Sequence, residues 1–131
     1  FCSKRLKDVL FLDLPLHRLP HISKRMAIAA LNDTEYYDRV TAELLATRED
    51  FSAQLNALPG ILAYESDANF VYIKLVGYDV ERIKAVVEKE GYLIRIFTGN
   101  EEKHLRITIG TKALMDKFTP LLVKTIQESK I

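Results

Sequence analysis

The sequence of 131 residues has few of the features that mark secreted or membrane proteins. It has a single cysteine, Cys2, so no internal disulfide can form, and we expect a reducing, cytoplasmic compartment. No apolar run approaches the roughly 18 residues that a membrane-spanning helix needs. Basic and acidic side chains number 19 and 18, and this net charge of +1 gives no electrostatic reason to expect binding to nucleic acid or to an anionic membrane.

The sequence also lacks the patterns of a metal site, a reactive cysteine and a phosphate-binding loop. Pro20 interrupts the helical spacing between His17 and His21, and His104 stands alone. The five glycines are scattered rather than grouped in a loop. Cys2 has no obvious catalytic base nearby in the sequence. We therefore expect no metal ion and no cysteine nucleophile.

The composition is that of one globular domain. Hydrophobic residues make up 48% of the chain and charged residues 28%, and the length suits a single domain. The first residue is Phe1 rather than methionine. We therefore interpret the sequence as part of a longer protein.

Residues 1–57 have a helical pattern. A short helix is predicted at 3–11, an extended connector at 12–20 because of its two prolines, and an alanine-rich helix at 21–31. Asp33 is the expected N-cap of a further helix of about 25 residues, which ends at Pro59-Gly60. This helix has an apolar stripe at spacings of three, four and seven, and it is long enough to bridge two domains or to cross the sheet of its own domain. The stripe consists of Tyr37, Val40, Leu44, Phe51, Leu55 and Leu58.

Residues 58–131 have the pattern β-β-α-β-β-α. Strands are predicted at 61–64, 69–75, 93–97 and 105–109, with a polar loop at 98–103. Asp79 and Thr111 are the expected N-caps of the two helices. The expected buried positions of these helices are Val80, Ile83, Val86 and Val87, and then Leu114, Phe118, Leu121, Leu122 and Ile126. The predicted fold class is α/β, as an α+β small domain with N-terminal helices and a small mixed or antiparallel sheet that has helices on one face.

Two arginines are the candidate functional residues. Arg95 falls in the middle of the strand predicted at 93–97, and Arg106 lies in the strand at 105–109. Burying a guanidinium is costly unless an anion meets it, and its planar fork suits a carboxylate or a phosphate. If the two strands pair as a hairpin, both arginines can point at one anion. The alternative is an exposed strand face on which each arginine is solvated or paired with a glutamate.

Several segments resemble one enzyme family when they are taken in order. The sequence S-D-A-N-F-V at 66–71, the sequence Y-L-I-R at 92–95 and the sequence L-R-I-T-I-G-T at 105–111 are similar to the C-terminal part of histidinol-phosphate aminotransferases. The helical segment at 27–36 also resembles this family. These enzymes belong to the fold-type-I group that depends on pyridoxal phosphate. The resemblance covers nearly all of the chain and implies the C-terminal small domain of such an enzyme.

The resemblance implies roles for three residues. Arg106 matches the arginine that holds the anionic group of the substrate, and Arg95 matches a second arginine that helps to bind a phosphate. Asn69 matches a position near the substrate entrance. The intact enzyme would be a cytoplasmic homodimer that transfers an amino group from an amino acid such as glutamate to a phosphorylated or aromatic oxo substrate such as imidazole acetol phosphate.

The chain departs from the family in several respects, of which two bear most on its function. The block with the cofactor-binding lysine matches no part of the sequence, so we expect the large cofactor-binding domain to be absent and this chain to have no catalytic or cofactor-binding residues and no activity by itself. The family usually has an aspartate after the second block, where this chain has Ile96-Phe97. A phosphothreonine-type decarboxylase, an amino-phosphonate transaminase and a non-catalytic α+β module that binds a protein or small ligand remain alternatives.

Overall fold

A computed structural model describes residues 3–5, 20–99 and 102–131, without the side chains of Thr98 and Glu102. Most of the helix predicted at 3–11 and of the connector predicted at 12–20 falls outside the described residues, as do Cys2 and His17. The chain divides into two compact units, Phe1–Asp38 and Arg39–Ile131.

Two helices, α1 (His21–Asn32) and α2 (Thr34–Asn56), confirm the helical pattern of the first half. Asp33 lies between them, and its carbonyl accepts a hydrogen bond of 3.3 Å from the Tyr37 N–H, as an N-cap residue does. No residue of α1 is buried. The boundary between the two compact units, at Asp38 and Arg39, lies inside α2, about one turn after this helix begins.

Only the second half of the predicted apolar stripe on α2 enters the core. Phe51 and Leu55 are 1% and 0% exposed, and Leu44 packs partly against the core. Tyr37 and Val40 are 46% and 38% exposed. The spacing correctly predicts which side of the helix is apolar, but not how far along the helix that side is covered.

The second half has the predicted order β-β-α-β-β-α. The strands are β1 (Ile61–Ala63), β2 (Phe70–Leu75), β3 (Arg95–Gly99) and β4 (Glu102–Thr108). They form one sheet in the order β1-β2-β4-β3, and every pair of neighbours is antiparallel. Of the two sheet types that the sequence left open, the structure has the antiparallel one. The helices are α3 (Val80–Lys89), after β2, and α4 (Lys112–Gln127), after β4.

Both predicted N-caps of these helices are confirmed. The Asp79 carboxylate accepts a hydrogen bond of 3.0 Å from the Arg82 N–H at the start of α3. The Thr111 hydroxyl accepts one of 3.4 Å from the Leu114 N–H at the start of α4. Each cap satisfies a backbone donor that has no partner within the first turn of its helix.

One face of the sheet forms the hydrophobic core with α2, α3 and α4. The alternation predicted for β2 is confirmed, since Val71, Ile73 and Leu75 are buried. Leu105 and Ile107 of β4 are buried beside them. The three helices therefore lie on one side of the sheet and leave its other side for the candidate site.

Some positions expected in the core of the helices lie elsewhere. Leu114 is 45% exposed, and Met115 is buried in its place. The buried positions of α4 are centred on Met115, Phe118 and Leu122, and a helix with 3.6 residues per turn carries Leu114 away from that side. Val86 and Leu121 are half-buried rather than fully buried.

The third strand and its loop also differ from the prediction. β3 begins at Arg95, so Arg95 is its first residue rather than its middle, and Leu93 is 89% exposed. The loop predicted at 98–103 is shorter, because β3 continues to Gly99 and β4 begins at Glu102, and these two residues pair. The length of a hairpin loop depends on which residues form cross-strand hydrogen bonds, and the polar composition of the segment does not reveal these pairs.

Candidate anion-binding site

The hairpin of β3 and β4 places the two predicted arginines side by side. Arg95 pairs directly with Arg106 in the antiparallel register. Residues directly opposite each other point to the same face, with their Cβ atoms about 5 Å apart. Two positive charges in this position repel each other, and an anion that binds both removes that cost. The predicted juxtaposition of these residues is therefore confirmed, although their role in binding stays a prediction.

The arginines belong to a set of polar and aromatic side chains on the sheet face opposite the core, which we call the arginine face. None of its side chains is buried, as expected for a surface that the helices do not cover. Its members come from β2, β3 and β4 and are Phe70, Tyr72, Lys74, Arg95, Phe97, His104 and Arg106.

Two aromatic rings flank the guanidinium of Arg106. Its Cζ atom lies 5.2 Å from the ring centroid of Phe70 and 5.9 Å from that of Phe97. Both distances fall within the range of cation–π attraction. Arg106 is half-buried and Arg95 is exposed. The two arginines therefore differ in how closely the protein surrounds them.

Asn69 lies further along the sheet than the arginine pair. It directly precedes β2, its side chain is exposed, and its carbonyl accepts a hydrogen bond of 2.8 Å from the Ile109 N–H. Arg106 pairs with Tyr72, three residues after Asn69. At about 3.3 Å per residue, this separates Asn69 from the pair by about 10 Å along the strand.

A buried arginine that the sequence pattern did not indicate stabilises the turn before β2. Arg48 of α2 is 9% exposed, and its Nη1 donates a hydrogen bond of 2.8 Å to the Ala68 carbonyl. Ser66 closes the same turn, since its hydroxyl donates to the Phe70 carbonyl at 2.7 Å and accepts from the Ala68 N–H at 3.1 Å. Arg48 thus links α2 to the segment that carries Asn69 and Phe70. Its position next to the apolar stripe was the one available signal in the sequence.

The described residues do not fit the demands of the pyridoxal phosphate site itself. That cofactor is held through a lysine in an enclosed pocket. None of the lysines among residues 3–5, 20–99 and 102–131 is buried. Several form ion pairs on the surface, such as Lys112 with Asp116 at 2.8 Å and Lys84 with Glu88 at 2.7 Å. The same ranges contain no group of three or more histidine, cysteine or acidic side chains placed to hold a metal ion.

Two ion pairs on the helical side of the molecule each alter the pKa of one member. A hydrogen bond from Lys103 lowers the pKa of Glu81 and joins β4 to α3 at 2.7 Å. A hydrogen bond to Asp116 raises the pKa of Lys112. Both pairs are exposed, so each stabilises the fold only weakly.

The cleft between α2 and α4 does not suit an anion. Its cavity has a volume of about 400 Å³ and has Phe51 and Met115 in its wall. Glu43, Asp50 and Asp116 line it as well, and Lys112, which also lines it, is paired with Asp116. The arginine face is therefore the better candidate for binding a negatively charged substrate.

Comparisons with known proteins identify the chain. Curated histidinol-phosphate aminotransferases include relatives from Clostridium acetobutylicum, 37% identical over 70% of this chain, and from Bordetella parapertussis, 35% identical over 87% of this chain. The chain is a histidinol-phosphate aminotransferase-like domain. It spans only 26% and 31% of the lengths of these two relatives. No family model matches the sequence.

Solved structures show the same fold as this aminotransferase-like domain. A decarboxylase from Sulfurospirillum multivorans has a TM-score of 0.70 and 18% identity, covering 95% of this chain and 37% of its own. L-threonine-O-3-phosphate decarboxylase from Porphyromonas gingivalis has a TM-score of 0.54 and 26% identity, covering 66% of this chain and 28% of its own. In the described part of this domain, every helix is too short or too polar to span a membrane.

Proposed function

We propose that this chain is the C-terminal small domain of a pyridoxal-phosphate-dependent aminotransferase and that it binds the anionic end of the substrate. The observation that carries this proposal is the direct pairing of Arg95 with Arg106 on the arginine face. Two adjacent guanidinium groups offer up to ten N–H donors, about five from each, which suits a phosphate or a carboxylate. The names of the relatives specify a phosphorylated substrate.

In this proposal the cofactor is held by another part of the intact protein. Two observations support this part of the proposal: the relatives are about three times as long as this chain, and none of the described lysines is buried. The arginines act by positioning. When they fix the anionic end of the substrate, its reacting carbon is held in one orientation, and this lowers the entropic part of the barrier.

The proposed reaction transfers an amino group from an amino acid such as glutamate to an oxo substrate such as imidazole acetol phosphate. The names of the relatives support this reaction class. We further propose that the intact enzyme is a cytoplasmic homodimer. In each subunit, the large domain would belong to the same polypeptide as this small domain. A non-catalytic binding module receives no support from the relatives.

The first prediction tests Arg106 in the full-length enzyme that contains this chain. Arg106→Lys keeps a positive charge but removes the planar fork, so we expect the KM for the phosphorylated substrate to rise by about ten- to a hundredfold. The visible absorption of the bound cofactor should stay unchanged. Steady-state kinetics with varied oxo substrate measure the first quantity, and absorption spectra measure the second.

Arg82→Lys is the matched control for this experiment. Arg82 is an exposed arginine of α3, in the helix layer on the other side of the sheet. Its replacement should leave KM unchanged. Equal KM values for the Arg106→Lys and Arg82→Lys enzymes would show that Arg106 does not bind the anionic group.

A decarboxylase is the second candidate, and one observation favours it. The threonine-phosphate decarboxylase from Porphyromonas gingivalis is 26% identical to this chain where the two superpose. That enzyme, by its name, also acts on a phosphorylated amino acid, so the arginine pair suits either reaction. Release of carbon dioxide from a phosphorylated amino acid, without formation of glutamate or an oxo acid, would show that the enzyme is a decarboxylase rather than an aminotransferase.

A further inference from the structure

The two aromatic rings beside Arg106 form a clamp that is distinct from the anion contact itself. Phe70 lies on β2 and pairs with Thr108, and Phe97 lies on β3 and pairs with His104. Both phenylalanines are therefore diagonal neighbours of Arg106, one on each adjacent strand. Diagonal neighbours on one face of a sheet lie within reach of aromatic and long side chains.

From this geometry we infer that Phe70 and Phe97 are positioning residues that hold the guanidinium of Arg106 in place for the anionic substrate. This inference rests on the proposed function. An arginine side chain has large rotamer freedom, and ordering it on binding weakens affinity. Rings at 5.2 and 5.9 Å from its Cζ atom restrict the guanidinium before the anion arrives.

Phe97 is itself supported by neighbouring rings on the arginine face. The Phe97 and Tyr72 rings meet edge to face, with centroids 5.7 Å apart. Tyr72 stacks on His104 with centroids 4.8 Å apart and planes inclined by 10°. Such ring pairs each stabilise one arrangement over others. Phe97 is therefore held in place although 37% of it is exposed.

The assignment explains why an aromatic residue at position 97 is compatible with an anion site. The ring of Phe97 attracts the guanidinium through its face but carries no net charge. The N–H donors of Arg106 thus stay available to the anion.

The test compares Phe97→Leu with Phe97→Tyr in this chain of 131 residues. Leucine removes the ring and keeps an apolar side chain, whereas tyrosine keeps the ring, and its hydroxyl reaches solvent at this exposed position. Nuclear magnetic resonance of the Arg106 Nε–H gives the order of the guanidinium without any ligand. Titration with inorganic phosphate then gives the dissociation constant of the anion.

We expect Phe97→Leu to lower the order parameter of the Arg106 Nε–H and to weaken phosphate binding by about two- to fivefold, as the loss of one cation–π contact predicts. Phe97→Tyr should restore both quantities to the wild-type values. The double change Phe70→Leu and Phe97→Leu should weaken binding further. The thermal unfolding midpoint of the Phe97 variants should stay near that of the wild type, which separates positioning from a general loss of structure.

The outcomes separate this inference from the proposed function. Equal Arg106 order in the wild type, the Phe97→Leu chain and the double variant would overturn the clamp, whatever the affinity for phosphate. If Arg106→Gln binds phosphate as tightly as the wild type, the proposed anion site is wrong. If Arg106→Gln loses binding but the double phenylalanine variant does not, the anion site stands and the clamp is wrong.

Discussion

Arg48 shows how a single residue can connect the helix layer to the turn that precedes the candidate site. Only 9% of the residue is exposed, and its hydrogen bond to the Ala68 carbonyl joins residues that are 20 positions apart. A charged donor raises the strength of such a bond, and the low local polarity raises the cost of losing it. Arg48 therefore holds the turn of residues 66–70 in place from the helix layer.

We predict that Arg48→Leu lowers the free energy of unfolding by about 1.5–3 kcal/mol, the contribution of a hydrogen bond to a charged group. Stability is lost because leucine cannot donate a hydrogen bond to the Ala68 carbonyl. Urea unfolding followed by circular dichroism measures it. Arg82→Leu is the control, because Arg82 is exposed and its replacement should change stability by less than about 0.5 kcal/mol. Equal losses for the two variants would contradict a structural role for Arg48.

The sequence predicted the arginine pair better than it predicted Arg48. Arg95 and Arg106 stand in strand-like surroundings, so a hairpin can be predicted to bring them together. The hydrogen bond of Arg48 depends on the path of a helix past a turn 20 residues away, which no local pattern encodes. The role of Asn69 near the substrate entrance was proposed from the resemblance, and it stays a prediction.

The turn between α2 and β1 depends on a close backbone approach. Gly60 has φ of +75°, and a Cβ atom placed on it would lie 2.7 Å from the Val76 carbonyl oxygen. The Gly60 carbonyl also accepts a hydrogen bond of 2.9 Å from the Val76 N–H. Any side chain at position 60 would therefore push β1 away from the end of β2.

We predict that Gly60→Ala destabilises the protein more than Gly77→Ala. Gly77 has φ of +82°, but a Cβ atom there would meet no atom within 4 Å. The positive φ costs about 1–2 kcal/mol in both variants, and only Gly60→Ala adds the clash with the Val76 oxygen. Thermal and urea unfolding of the two variants measure the difference. Similar losses would show that the backbone absorbs the clash without cost.

Secondary structure was predictable wherever the apolar pattern follows one period. The alternation in β2 and the caps of α3 and α4 were correct because each depends on a few neighbouring residues. The predicted burial of Leu114 was wrong, because two adjacent apolar residues at the start of a helix leave the buried side ambiguous. The predicted start of β3 at Leu93 was wrong, because Leu93 and Ile94 are as strand-like as the residues that follow them.

At the scale of the whole molecule, burial is uneven between the two compact units. Arg39–Ile131 contains the continuous core of sheet and helices. Phe1–Asp38 contains α1, whose apolar Ile22, Met26 and Leu31 are 70%, 66% and 77% exposed. The curated relatives are about three times as long as this chain. We propose that the large domain of the intact protein covers these side chains.

Hydrogen exchange should follow this difference along the chain. We expect the amides of α2 near Phe51 and Leu55, and those of α4, to exchange at rates set by global unfolding. The amides of α1 should exchange much faster, because no side chain of that helix is buried. Exchange measured by mass spectrometry on this chain tests the prediction. Comparable protection in α1 and α4 would show that α1 is covered in solution.

The sequence by itself determined the order of the elements, the apolar sides of β2, α2 and α3, and the resemblance that identifies the family. Each of these depends on residues that are near one another in the chain. The tertiary structure alone decided the sheet order β1-β2-β4-β3, the direct pairing of Arg95 with Arg106, the rings that flank Arg106 and the contact of Arg48 with the turn. These features depend on strand register and on helix packing, which bring together residues from distant parts of the chain.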